Sequence, residues 1–217
     1  MYKSINKTIF GVRRMARSMA AHWLPLCLCA IFPMLVSCSE SDDTPEEYPD
    51  WKNYNEAFVQ RLATDSVGHG WERIKNFSFV AGEGKASDYI YVKRLRNGSG
   101  TVRPIYTDSV AVHYQGRLLP STTYSTGYIF DQSWMRGTTL DESINTPVKF
   151  NVSGVVDGFG TALQNMVEGD RWIIYIPWQL GYGVNPVGYG YNNSGITGTN
   201  YSTLRFDITM SKVYQVK

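Results

Sequence analysis

The stretch Pro147–Gly183, PVKFNVSGVVDGFGTALQNMVEGDRWIIYIPWQLGYG, decides how this chain is read. It runs as strand, tight turn, short helix, strand and aromatic-rimmed loop. Within Gly158–Val167, Phe159, Leu163 and Met166 recur at helical spacing with Ala162 beside them, which marks one buried face. Asp157 is placed to cap the helix at its N-terminus, and Gly169 to stop it. Trp172–Ile176 is a nearly continuous apolar run of strand length. The stretch contains no ionisable pair, metal cluster or nucleophile–base set. Apolar and aromatic side chains around a helix start suit holding and twisting an apolar peptide group rather than breaking a bond.

Outward from this stretch the period is two. From Asp88, Tyr89 and Tyr91 alternate with Ile90 and Val92 before a glycine-rich turn; Ser109–Leu119 puts Val110, Val112 and Tyr114 on one face. Phe150–Val152 is a short strand. In the last strand Leu204, Phe206, Ile208 and Met210 alternate and are expected to face the core. Trp51–Ala63 carries Trp51, Tyr54, Phe58 and Leu62 at helical spacing, and Thr64–Ser87 reads as an irregular approach whose Trp71 and Phe77 pack on the main fold. Antiparallel strands with one short helix on a face make an α+β domain.

The N-terminal residues read as an export signal. Lys3, Lys7, Arg13, Arg14 and Arg17 precede a mostly apolar run from Met19 to Val36 that His22, Pro25 and Pro33 interrupt. Leu35-Val36-Ser37-Cys38 resembles a bacterial lipobox, so residues 1–37 are expected to be a lipoprotein signal peptide, with Cys38 lipidated and the protein held on a membrane by that anchor. Cys27 and Cys29 lie in the leader, which leaves Cys38 with no internal partner. Residues 38–50 read as an acidic tether, 51–87 as an N-terminal extension with a short helix, and 88–217 as the main domain. The whole chain has 21 basic and 19 acidic residues. Without the leader's basic residues the balance turns acidic, and no basic stripe interleaved with aromatics remains, so no nucleic-acid partner is expected. The expected location is the bacterial cell envelope, at the periplasmic face or the outer-membrane surface.

Five blocks occur in a telling order: VHYQGRL, FDQS, PVKF with VVDGFGTAL, NM and EGD, then IP with LGYG, and STLRFDI. Together they resemble the FK506-binding-type (FKBP) peptidyl-prolyl cis-trans isomerases from about Tyr89 to Val216. The resemblance implies a half-open antiparallel sheet wrapped around one short α-helix, no cofactor, and proline-containing unfolded or exported polypeptides and FK506-like compounds as ligands. Residue by residue it implies Tyr114 on one wall, the Phe130-Asp131 pair near the reacting amide and Val148 at a floor or wall position. It also implies Val155 and Val156, the latter offering its backbone N–H to a peptide carbonyl, with Phe159 beneath the prolyl ring. Tyr182 supplies a hydroxyl, Ile196 an apolar contact from the long loop, Phe206 an aromatic from the last strand, and Arg136 an ion pair to Asp131.

Each of these residues also has an ordinary reading. Phe159 and Phe206 are core by default, Tyr114 and Tyr182 suit half-buried tyrosines, and Asp131 suits a turn. His113 neighbours Tyr114 on a strand and is expected to point away from the pocket. The chain departs from the family in placing Phe159 where a tryptophan is usual, Val148 where an aromatic is usual, and a shorter turn at Asn151–Val155. Pro120–Ile129, Trp134–Thr146 and Val184–Asn200 are insertions around the site. The expected function is prolyl isomerisation in the folding of exported proteins; a non-catalytic peptide-binding or chaperone lipoprotein using the same pocket is the alternative.

Overall fold

A computed structural model describes residues 46–79, 82, 84–188 and 195–216. The expected leader, Cys38 and the start of the acidic run lie outside the described residues. Seven strands form one antiparallel sheet: β1 (Glu72–Lys75), β2 (Tyr89–Arg96), β3 (Ser109–Arg117), β4 (Ile129–Gln132), β5 (Val148–Asn151), β6 (Arg171–Ile176) and β7 (Leu204–Tyr214). Their order is β1-β2-β6-β7-β3-β4, and β5 also pairs with β3. Because β7 runs along one whole edge of β3, β5 and β4 divide the other edge: β5 takes Ser109–Val112, β4 takes Gln115–Arg117.

The strand alternation read from the sequence sets the layers. Val110, Val112, Trp172, Ile174, Leu204, Ile208 and Met210 are fully buried in one cluster with Phe159, Leu163 and Met166 of the central helix. The helix α2 spans Asp157–Leu163, and every residue from Gly158 to Leu163 is buried. It is shorter than the expected Gly158–Val167, and Asp157 is its first helical residue rather than its side-chain cap; Val156 holds the cap position. The Asp157 carbonyl instead accepts the Thr161 hydroxyl at 2.8 Å and the Asn76 side-chain Nδ2 at 3.3 Å. Gly158 is required at the helix start, because a Cβ there would sit 2.3 Å from Cγ2 of Ile176. After Leu163 the chain closes in tight turns and reaches Gly169 at φ 90°, where only glycine is unstrained.

The other face of the sheet is covered only in part. The helix α1 (Trp51–Arg61) and a π-turn at Leu62–Ser66 lay Val59 and Leu62 against Tyr89 and Tyr91 of β2. The buried positions of α1 itself are Trp51, Asn55 and Val59, not the stripe through Tyr54 and Phe58, and Tyr54 is exposed. Asn55 is the reason. Its Oδ1 accepts the Thr203 amide at 2.6 Å and its Nδ2 donates to the Trp51 carbonyl at 2.7 Å, so a polar residue occupies the centre of the packed face. The Trp51 indole N–H donates to Ser202 at 2.8 Å. Helix α1 thus ties down the segment that leads into β7.

Two further differences concern the extension. Strand β1 lies inside the segment expected to be irregular, held by β2 through Glu72↔Val92 to Lys75↔Tyr89. The folded part also begins before Trp51, within the expected tether. Tyr48 is buried with its ring 4.8 Å from Trp51, and Glu47 accepts the Ser121 hydroxyl at 2.5 Å and the Thr123 amide at 3.0 Å. The Ser121 and Thr123 hydroxyls, both donating to it, hold the Glu47 carboxyl below the usual carboxylate range. Among the described residues no helix is long and apolar enough to cross a membrane.

Candidate functional site

Where the sheet curls around the start of α2 it leaves a cavity of about 250 Å³, lined by Tyr114, Phe130, Asp131, Phe150, Gly154, Val155, Val156, Phe159, Tyr182 and Phe206. Strand β3 brings Tyr114, β4 brings Phe130 and Asp131, β5 brings Phe150, α2 brings Phe159 and β7 brings Phe206. Tyr182 comes from the loop after the 3₁₀ turn at Trp178–Leu180. The rings form a mutually supported box. Phe159 and Phe206 lie 4.9 Å apart, Phe130 and Phe206 5.5 Å, Tyr114 and Phe150 5.5 Å, and Phe130 and Tyr182 6.4 Å, all edge to face. Phe159 and Phe206 are buried, whereas Phe130 and Tyr182 are half-buried at the mouth.

Gly116 makes this packing possible. A Cβ at that position would fall 2.5 Å from Phe130 Cζ and 2.7 Å from Phe206 Cε1, so any other residue on β3 would push one ring into the cavity. The polar elements are few. The Tyr114 hydroxyl donates to Asp131 Oδ2 at 2.7 Å, which fixes both side chains on one wall. Val156, at φ −59° and ψ 148°, stands just before α2; its carbonyl accepts the Gly160 amide, while its own N–H meets no acceptor among the described residues. A backbone donor at the lip of an apolar cavity, next to a helix N-terminus, is suited to a carbonyl oxygen.

The structure brings together Tyr114, Phe130, Asp131, Val155, Val156, Phe159, Tyr182 and Phe206, as expected from the sequence. Three residues depart. Val148 pairs with Val112 and does not line the cavity; Phe150, one strand period further on and hence on the same face, does. The alternation Val148–Phe150 was the available signal, and an aromatic at the deeper position fills the wall. Ile196 is likewise absent from the lining, since its amide is bonded to the Val187 carbonyl at 2.8 Å within its own loop. The Arg136 ion pair is not made among the described residues: its guanidinium donates to the Phe130 carbonyl at 3.4 Å, and Asp131 is engaged by Tyr114.

His113 faces away from the cavity, as the strand alternation requires. It is buried on the other side of β3 across from Thr209, and burial lowers its pKa against a smaller opposing effect from Glu142. No group of three or more metal-ligating side chains occurs among the described residues.

Comparison with known proteins agrees with this geometry. The model of the family described as FKBP-type peptidyl-prolyl cis-trans isomerase matches residues 100–211. The chain is 34% identical over 167 residues to the macrophage infectivity potentiator of Trypanosoma cruzi, covering 71% of this chain and 74% of that protein. It is 29% identical over 154 residues to the FKBP-type 22 kDa peptidyl-prolyl cis-trans isomerase of Escherichia coli K12, covering 71% of this chain and 62% of that one. In fold it is similar to the crystal structure of a peptidyl-prolyl cis-trans isomerase from Pseudomonas syringae, with a TM-score of 0.51 and 24% identity over 76% of this chain and 93% of the other.

Proposed function

Because the chain belongs to the FKBP-type peptidyl-prolyl cis-trans isomerases, we propose that its aromatic cavity binds X–Pro segments of exported polypeptides and speeds rotation about the bond. Resonance gives a peptide bond a rotational barrier of about 18–20 kcal/mol. At the perpendicular geometry resonance is lost, the nitrogen becomes pyramidal and the amide is less dipolar. Water favours the planar, dipolar ground state more than the twisted one. A dry cavity removes that preference and so stabilises the transition state relative to the substrate.

The aromatic box carries this reading. Phe159 and Phe206 offer faces and edges for the prolyl ring, and Phe130 closes the mouth. In this reading the Val156 N–H takes the carbonyl of the bound segment, which holds one side of the bond while the other turns. The Tyr114–Asp131 pair keeps the wall rigid. No proton transfer or covalent intermediate is needed, in keeping with a site that holds one carboxylate and no base beside it.

The leader and Cys38 support a lipid-anchored protein of the bacterial envelope acting on clients outside the cytoplasm. Turnover of a proline peptide in a protease-coupled assay tests the reading on the whole folded region. Wild type is expected to accelerate isomerisation and to be inhibited by FK506. Phe130→Ala, at a half-buried wall, is expected to lower kcat/KM about 10- to 100-fold with the fold intact. An uncatalysed rate with wild type overturns the proposal. The second reading, a non-catalytic holder of apolar segments, is favoured by Phe159, which offers a smaller floor than an indole. It predicts peptide binding at this cavity without turnover.

A further inference from the structure

The wall formed by Val155 has a second side. Beyond it lies a groove of about 240 Å³ along the first turn of α2, lined on one side by Val152, Val155 and Gly160, on the other by polar residues that include Asn76, Asp157 and Thr161, and flanked by the rings of Phe77 and Tyr106. Val155 lines both this groove and the aromatic cavity. Phe77 belongs to the N-terminal extension, ahead of the residues 100–211 that the family model matches.

Both flanking rings are exposed, Phe77 at 62% and Tyr106 at 63%, yet neither sits on a loose loop. Phe77 follows Asn76, which is 4% exposed; its Nδ2 donates to Thr161 Oγ1 at 2.8 Å, and its Oδ1 accepts the Ser78 amide at 2.8 Å. Tyr106 rides on the turn Ile105–Asp108, where Asp108 is 1% exposed. That carboxylate accepts the Ile105 amide at 2.9 Å and the Val216 amide at 2.9 Å. Two large rings are therefore held in water on turns locked by buried polar side chains. This costs hydration free energy unless an apolar group covers them, and it removes the ordering cost of binding one.

The geometry points to this groove as a subsite for a large apolar side chain, aromatic or long aliphatic, of the same polypeptide whose proline occupies the cavity. The inference rests on the isomerase reading, because continuity with the cavity through Val155 identifies the occupant. An extended chain advances at most about 3.3–3.6 Å per residue, so crossing the one-residue wall places the side chain about two to four residues from the proline. Phe77 and Tyr106 form its sides and Val152 its floor. The extension thereby selects clients with an apolar residue near the proline, whereas the cavity alone reads only the proline and its immediate neighbour.

The test uses four sets of peptides on the complete folded region. Each carries one X–Pro bond, with Phe or Ser placed two to four residues to its N-terminal or C-terminal side. Wild type is expected to turn over the Phe peptide about five- to tenfold more efficiently than its Ser counterpart on one flank. In the double variant Phe77→Ser, Tyr106→Ser this ratio should fall to about one, with turnover of the Ser peptides unchanged. A ratio of one in wild type on both flanks, or an unchanged ratio in the variant, overturns the subsite. Fluorescence anisotropy of the same labelled peptides reads the Phe preference without turnover. Binding that shows the preference with no catalysis would therefore count against the isomerase reading and for the groove.

Discussion

The two faces of the sheet each carry a hollow, and the larger one is the less suited to the reaction. On the outer face, between α1 and the turn at Trp178, about 600 Å³ is lined by Asn53, Glu56, Gln60, Lys85, Ser87 and Gln179 together with small apolar groups and the Trp178 ring. On the inner face, less than half that volume is walled by six aromatic rings. The larger hollow presents mainly amide, hydroxyl and charged side chains, with a single aromatic ring among them. In the proposed mechanism the aromatic one favours a bond whose transition state is less dipolar than its ground state. On that mechanism the aromatic wall matters more than the size of the space.

The largest effect is expected at Gly116. Gly116→Val would force Phe130 or Phe206 into the cavity, and kcat/KM is expected to fall by more than about 100-fold, with stability lowered by about 1–3 kcal/mol. Peptide turnover together with thermal unfolding measures both. Tyr114→Phe removes the 2.7 Å bond to Asp131 and keeps the ring, so a loss of about 3- to 10-fold in kcat/KM is expected, with little change in melting temperature. A loss as large as that of Gly116→Val would mean that the hydroxyl does more than brace the wall.

The outer face should answer to pH rather than to substrate. Burial holds the His113 imidazole below its ordinary value of about 6.5, so the unfolded chain binds the proton first. Stability from the neutral, buried form is complete above that value and is lost as pH falls through it towards the lower folded-state value. Melting temperature followed from pH 8 to pH 5 should therefore drop more steeply in wild type than in His113→Asn. Parallel curves would place the acid sensitivity elsewhere. The smallest effect is expected in the polar hollow itself. Glu56→Ala removes a 3.3 Å contact to the Trp178 indole and a loose pair with Lys52, and turnover should change by less than about twofold. A tenfold loss there would overturn the division between the faces.

How far the sequence reached can be judged from single residues. Phe206 and Phe159 were legible because alternation in a strand and three-four spacing in a helix each mark a buried face, and both faces meet in the same core. Phe150 was legible in principle, since it shares a strand face with Val148; choosing between them required knowing how deep β5 lies against β3. Arg136 failed for a different reason. Its long side chain has several acceptors in reach, and a local offset along the chain does not say which one wins. Asn55 defeated the pattern on α1, because a buried amide that satisfies two backbone groups looks like a surface residue in a list of hydropathies.

The sequence by itself determined the antiparallel sheet, the short helix and the apolar character of the site, since periodicity and side-chain type act over a few neighbouring residues. The tertiary structure alone decided that α1 packs on β2 at the outer face, that Tyr48 belongs to the core, and that Phe77 and Tyr106 stand exposed beside the cavity. Those outcomes depend on pairs far apart in the chain, Trp51 with Ser202 and Asn76 with Thr161 among them. Such contacts are selected by the closure of the whole fold, because only then do their hydrogen bonds leave water together.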